Sequence, residues 1–155
     1  MEVRLPNGKI GKFDLVKHND SVSILPLDNE GNIWFVSQYR LGAGKELLEL
    51  PAGVMDKKES PIKCAAREVR EETGLGSKKI TQIGSVYLDP GYSNELNYIF
   101  LAEDLIEDPL EQDEDEFLSI HAYSRGEVRQ FIRDGEIKDS KTIAALYILE
   151  QLEND

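Results

Sequence analysis

At 155 residues, with 40% apolar and 31% charged side chains, the chain suits one domain with a buried core and a water-facing surface. A net charge of −12 excludes nonspecific nucleic-acid binding, which relies on basic surface to neutralise phosphates. There is no apolar run of about 18 residues to cross a membrane and no leader-type segment. The single Cys64 allows no internal disulfide, so no membrane partner and a cytoplasmic setting are expected.

Residues 1–20 make a short N-terminal strand region, with a strand predicted over Lys12 to Val16. Val22, Ile24, Leu25 and Leu27 mark a strand over Val22 to Leu27. Asp28-Asn29-Glu30-Gly31-Asn32 has turn composition, and Ile33 to Tyr39 follows as a second strand, so the two read as a hairpin. Trp34 and Phe35 fall in this strand as core or subunit-contact residues. Leu47 to Leu50 then leads into a Pro51-Ala52-Gly53 turn.

Next comes GVMDKKESPIKCAAREVREETGL, from Gly53 to Leu75, the most informative stretch of the chain. Ser60 suits an N-cap, Pro61 the first helical position and Gly74 the left-handed residue that ends a helix. Ile62, Cys64, Ala65, Ala66 and Val69 supply a candidate buried side. Glu68, Glu71 and Glu72 share one helix face, because residues three and four apart are neighbours. Like charges so placed cost roughly 0.2–0.5 kcal/mol per pair. Arg67 offsets part of that cost as an i, i+4 partner of Glu71, and a hard cation would remove the rest. A solvated acidic face would explain the glutamates alone, but not their fixed spacing from Gly53, Glu59, Arg67 and Gly74.

Strands are predicted over Ile80 to Leu88 and Leu96 to Ala102, with a Pro90-Gly91 turn between them that by itself reads as type II. Glu103 to Glu116 holds nine acidic residues and reads mainly as a solvated loop. A strand over Phe117 to Ala122 precedes two helices. Ser124 and Glu127 have capping-box spacing before Val128, Phe131 and Ile132, and Gly135 stops that helix. The last helix runs from about Ser140 to Leu152, offering Ile143, Ala144, Leu146, Tyr147 and Leu149 to the core. His18 and His121 show no ligand spacing. Strands mixed with helices give an α/β class with a mixed sheet.

The segment from Gly53 to Leu75 fills every fixed position of the box that defines the Nudix hydrolases, which the chain resembles. Arg40 at the end of Gln38-Tyr39-Arg40, and Glu49-Leu50-Pro51-Ala52, resemble the ADP-ribose pyrophosphatase branch. Pro90, sixteen residues beyond Gly74, and the loop Asp89 to Glu95 are similar to the substrate loop of those enzymes. The tail Gly135 to Thr142 is similar to theirs as well. The resemblance reaches from about Leu5 to Leu152 and implies a single Nudix domain over 1–155, an α/β/α sandwich.

The resemblance implies Mg²⁺-dependent hydrolysis of a nucleoside diphosphate sugar, with ADP-ribose giving AMP and ribose 5-phosphate. Mn²⁺ is an alternative ion, and a GDP-mannose type substrate or a non-hydrolysing nucleotide sensor are alternative readings. The metal ligands implied are the Ala52 carbonyl, Glu68 and Glu72, with Glu71 nearby and Arg67 orienting the carboxylates. Glu59 holds the loop–helix geometry or takes a further ion. Substrate contacts are implied for Arg40, Glu49, Gly53, Pro90, Gly91 and Glu95. Arg40 reads equally as a surface ion-pair member or a phosphate clamp, for which its planar fork is suited. The general base is implied on the late acidic loop, Glu116 first and Glu114 second. A homodimer is the implied assembly.

Overall fold

The computed structural model describes residues 1–111 and 118–154. In chain order the strands are β1 (Glu2–Arg4), β2 (Ile10–Lys12), β3 (Ser21–Pro26), β4 (Asn32–Arg40), β5 (Lys45–Glu49) and β6 (Ala52–Val54), followed by helix α1 (Pro61–Thr73). Then come β7 (Leu75–Tyr87), β8 (Leu96–Glu107), β9 (Ser119–Ser124), α2 (Arg125–Arg133) and α3 (Ser140–Glu153). A four-stranded mixed sheet has the order β6-β3-β8-β7, with β3 parallel to β8 and the other pairs antiparallel. A three-stranded antiparallel sheet has the order β5-β4-β9, and β1 and β2 form a separate two-stranded sheet.

Every residue of β3 is buried, because both faces of its sheet are covered. Alternating side chains divide between two cores. Val22 and Ile24 join Cys64, Ala65, Val69, Phe100 and Ala102 beneath α1. Leu25 joins Ile33, Phe35, Leu50 and Ile99 with Val128 of α2 and Ala145 and Leu149 of α3. This is an α/β/α sandwich, with α1 on one side and the later helices on the other. Among the described residues no helix is long and apolar enough to cross a membrane.

Several sequence expectations are corrected. The predicted β3–β4 hairpin survives only at its tip, where Leu27 bridges Ile33 and the Asp28 carboxylate accepts the backbone N–H groups of Glu30 and Asn32. Beyond it the strands part into different sheets, since β3 takes β6 and β8 as partners while β4 takes β5 and β9. The strand expected over Lys12 to Val16 is instead the end of β2 plus one bridge from Val16 to Ser93. Ala52 and Gly53, read as a turn, lie in the edge strand β6. β7 begins at Leu75, and β8 extends to Glu107, so Glu103 sits in a ladder opposite Lys79 rather than in a loop. β9 starts at Ser119, and the expected Phe117 lies outside the described residues.

The helix boundaries follow their caps. Gly74 adopts φ 72° and closes α1 with its N–H on the Arg70 carbonyl, whereas Ser60 occupies the N-cap position without a side-chain cap bond. Ser124 and Glu127 complete a capping box, and Asp139 caps α3 through the Thr142 N–H. Ile62 and Tyr147, expected in the core, are exposed, as is Ile143 to a lesser degree. The Asp89–Tyr92 turn closes by a 3.2 Å bond from the Tyr92 N–H to the Asp89 carbonyl. Gly91 lacks the positive φ that a type II turn requires, so that reading is set aside.

Candidate active site

The site is built where β6 runs along the edge of the mixed sheet beside α1. Ile24 donates to the Pro51 carbonyl at 2.8 Å, which makes Ser23 and Ala52 the neighbouring non-bonded pair of the antiparallel ladder. The N–H and C=O of Ala52 therefore point away from β3. The N–H donates to Glu72 Oε2 at 2.9 Å, so the Ala52 carbonyl leaves the strand on the same side as this buried carboxylate. One residue on, a Cβ built at Gly53 would collide with the Glu68 carboxylate. The backbone angle here is ordinary, and a side chain at residue 53 would have to push the Glu68 carboxylate aside. Glu68 and Glu72 are i, i+4 neighbours on α1, and both are buried.

Arg67 organises the remaining box carboxylates. Its Nε and Nη2 grip Glu59 at 3.1 and 3.0 Å, and its Nη1 reaches Glu68 at 2.7 Å and Glu71 at 2.8 Å. The hydrogen bonds to Glu59 foremost, with the charge of Glu68 and the bond to Glu71, hold the guanidinium more firmly protonated than usual. The same Arg67 bond holds the Glu59 carboxyl below its ordinary range. Burial, with the charges of Glu59 and Glu68 adding, pushes the Cys64 thiol up to about 12, consistent with a core residue rather than a ligand.

The donor set is all oxygen and suits a hard divalent ion. Among the described residues no group of three or more His, Cys, Asp or Glu side chains, Glu68, Glu71 and Glu72 included, is gathered closely enough to hold a metal ion by itself. Two buried carboxylates and an outward-facing backbone edge match the partial protein shell typical of Mg²⁺, which keeps waters and takes substrate phosphate oxygens.

Arg40 and Glu49 stand at opposite ends of the β4–β5 ladder, and their side chains meet along it. Arg40 Nε and Nη2 meet Glu49 Oε1 and Oε2 at 2.8 and 2.7 Å, a bidentate pair. Glu49 is 1% exposed and also binds Lys141 Nζ at 2.6 Å, so it touches Arg40 and Lys141 where substrate contact was expected. Burial pushes its carboxyl up, but the Arg40 hydrogen bonds and the Lys141 ammonium outweigh this and hold it below 4.5. Arg40 is raised mainly by Glu49 and also feels the charge of Glu72 on α1.

Glu95 belongs to a separate cluster. Ser21 donates to Glu95 Oε1 at 2.6 Å, and Ser21 lies opposite Val54, the residue after Gly53. The His18 Nδ1, left without a role on sequence, stands 3.2 Å from Glu95 Oε2 and 2.7 Å from the Asn19 carbonyl. Pro90 and Gly91 are exposed in the Asp89 to Glu95 loop. Glu114 and Glu116, the expected bases, lie outside the described residues. The sequence reading also missed Lys141. Its signal was a lysine in the first turn of a helix, where the dipole disfavours a cation.

The family model described as NUDIX domain matches residues 17–146. An ADP-ribose pyrophosphatase of Bacillus subtilis (strain 168) is 38% identical over 151 residues, covering 96% of this chain and 82% of that protein. A methanol dehydrogenase activator of Bacillus methanolicus is 35% identical over the same length and the same shares. The fold is similar to a solved crystal structure of an ADP compounds hydrolase, with TM-score 0.87 at 23% identity, covering 97% of this chain and 82% of that one. With the box helix set against β6 and the match running through most of its length, the chain belongs to the NUDIX domain family and is a Nudix hydrolase.

Proposed function

We propose that the protein hydrolyses the diphosphate bond of a nucleoside diphosphate sugar with Mg²⁺, or Mn²⁺ in its place, converting ADP-ribose to AMP and ribose 5-phosphate. The observation that carries this reading is the meeting of the buried Glu68 and Glu72 carboxylates with the Ala52–Gly53 edge. The Ala52 carbonyl, Glu68 and Glu72 would hold the ion, with Glu71 beside them. When bound, it neutralises phosphate charge and lowers the pKa of coordinated water.

The chain's own residues do the rest. Arg67 keeps Glu68 and Glu71 in place, and Gly53 lets the Glu68 carboxylate, and with it the ion, lie against the backbone. Arg40 grips the diphosphate, while Glu95 and the Pro90-Gly91 loop receive the ribose. Glu116, or Glu114 in its place, takes a proton from the attacking water. The hydroxyl joins one phosphorus, the P–O bond to the other phosphate breaks, and both products leave as monoesters. ADP-ribose is favoured by the Pro90 loop and by the name of the 38% identical relative.

We further propose a homodimer. Among the described residues the β1–β2 sheet pairs with no other strand, and Val3, Ile10 and Phe13 around it are exposed. A lone two-stranded sheet is marginal in water, and a second copy would cover it. Light scattering giving a monomer mass at micromolar concentration would remove this part of the reading.

The deciding experiment is a product assay with Mg²⁺ on ADP-ribose, GDP-mannose, NADH and diadenosine polyphosphates side by side. AMP released fastest from ADP-ribose is the expected result. Preference for GDP-mannose would keep the metal chemistry and discard the base and sugar assignment. Nucleotide binding without turnover on any of them would make the protein a sensor.

A further inference from the structure

The tail similar to the ADP-ribose branch has no part in the chemistry above, yet its first helical turn reaches the site. Lys141 Nζ lies 2.6 Å from Glu49 Oε2 and 2.8 Å from Asp139 Oδ1. In the same turn, Thr142 Oγ1 donates to Asp139 Oδ2 at 2.6 Å and accepts the Leu50 N–H at 2.9 Å, immediately before Pro51-Ala52-Gly53. We propose that Lys141 is a positioning residue for diphosphate capture, holding Glu49 so that Glu49 presents Arg40 to the substrate. This rests on the reading of Arg40 as the phosphate clamp.

Four charged groups make the cluster, and their exposures assign the parts. The side chains of Glu49, Lys141 and Asp139 are 1%, 11% and 12% exposed, while that of Arg40 is 38% exposed and is the one that reaches solvent. Stability alone does not call for such a cluster, since buried ion pairs are often replaced by apolar side chains without loss. Lys141 also sits against the dipole of α3, a placement that its two carboxylate partners must offset. With Lys141 present the four charges cancel. Without it Arg40 stands in a cluster of net charge −1, which repels a diphosphate, and Glu49 loses the cation that opposes Arg40 across its carboxylate.

The test is steady-state hydrolysis of ADP-ribose by the full chain carrying Lys141→Met, Arg40→Gln or both, with Lys141→Arg as the conservative variant. We expect Lys141→Met to raise KM about tenfold with kcat changed less than about twofold, as for a residue acting through a ligand-contacting one. Lys141→Arg should recover most of that loss. On the Arg40→Gln background the same Lys141→Met change should leave KM within about twofold, because the two act as one unit. If Lys141→Met is insoluble, Lys141→Gln keeps a donor to Glu49 without the charge and is read the same way. A raised KM in Arg40→Gln beside an unchanged KM in Lys141→Met, even with a lowered Tm, overturns the inference and leaves the clamp standing. An unchanged KM in Arg40→Gln overturns the clamp itself and the inference with it.

Discussion

The Glu68 carboxylate fills the space that a side chain at residue 53 would occupy. Gly53 is held in register opposite Val22, so the strand cannot retreat without breaking its ladder, and Glu68 cannot shift without leaving Arg67. Gly53→Ala should therefore displace the Glu68 carboxylate, which we propose binds the metal, by an ångström or so. A misplacement of that size can cost about a hundredfold in rate. We expect kcat/KM to fall by about that factor while circular dichroism stays native; activity within about twofold of the parent would show that the contact is not functional.

Glu72 joins the sheet edge to the helix through the Ala52 N–H. Glu72→Gln keeps an acceptor for that bond and removes the negative charge. Activity should drop by about a hundredfold or more, beyond the loss typical of an outer partner of a metal ligand. Stabilisation by nucleotide with Mg²⁺ in thermal melts should go with it. Near-normal turnover by a folded variant would sink the metal assignment.

The base is to be found by kinetics. Glu116→Gln should lower kcat by about a hundredfold or more with little change in KM, the pattern of a group that acts on the proton in flight. Glu114→Gln showing that pattern instead would move the base by two positions.

Acid should act on the Glu49 cluster in a definite direction. Its carboxyl is held below its ordinary value of 4.5, so the unfolded chain takes up the proton first as pH falls. The stability it contributes is complete above about pH 4.5 and is lost as pH falls through the lower folded value. Glu49→Gln should cost about 3 kcal/mol at pH 7, since it leaves Arg40 and Lys141 facing a neutral amide. That deficit should shrink below pH 4.5 in urea titrations across the range. A deficit that stays constant from pH 7 to 3 would mean that the charge of Glu49 contributes nothing.

The two helix ends closed by caps, Gly74 and Ser124 with Glu127, were legible because a cap depends on a few adjacent residues. The parting of β3 from β4 was not, since alternation of side chains marks a strand without naming its partner. The Pro51-Ala52-Gly53 segment illustrates the same limit: its composition says turn, and only pairing with β3 makes it an edge strand.

The sequence by itself determined the family, the α/β class and the helix face that carries Glu68, Glu71 and Glu72, because these follow from local spacing and helical periodicity. Tertiary structure alone decided that Glu49 is sealed between Arg40 and Lys141, that His18 stands beside Glu95, and that Glu68 lies where a Cβ at Gly53 would be. Those contacts join residues up to 92 positions apart, and only the packing of strands against helices brings such distant charges into one place.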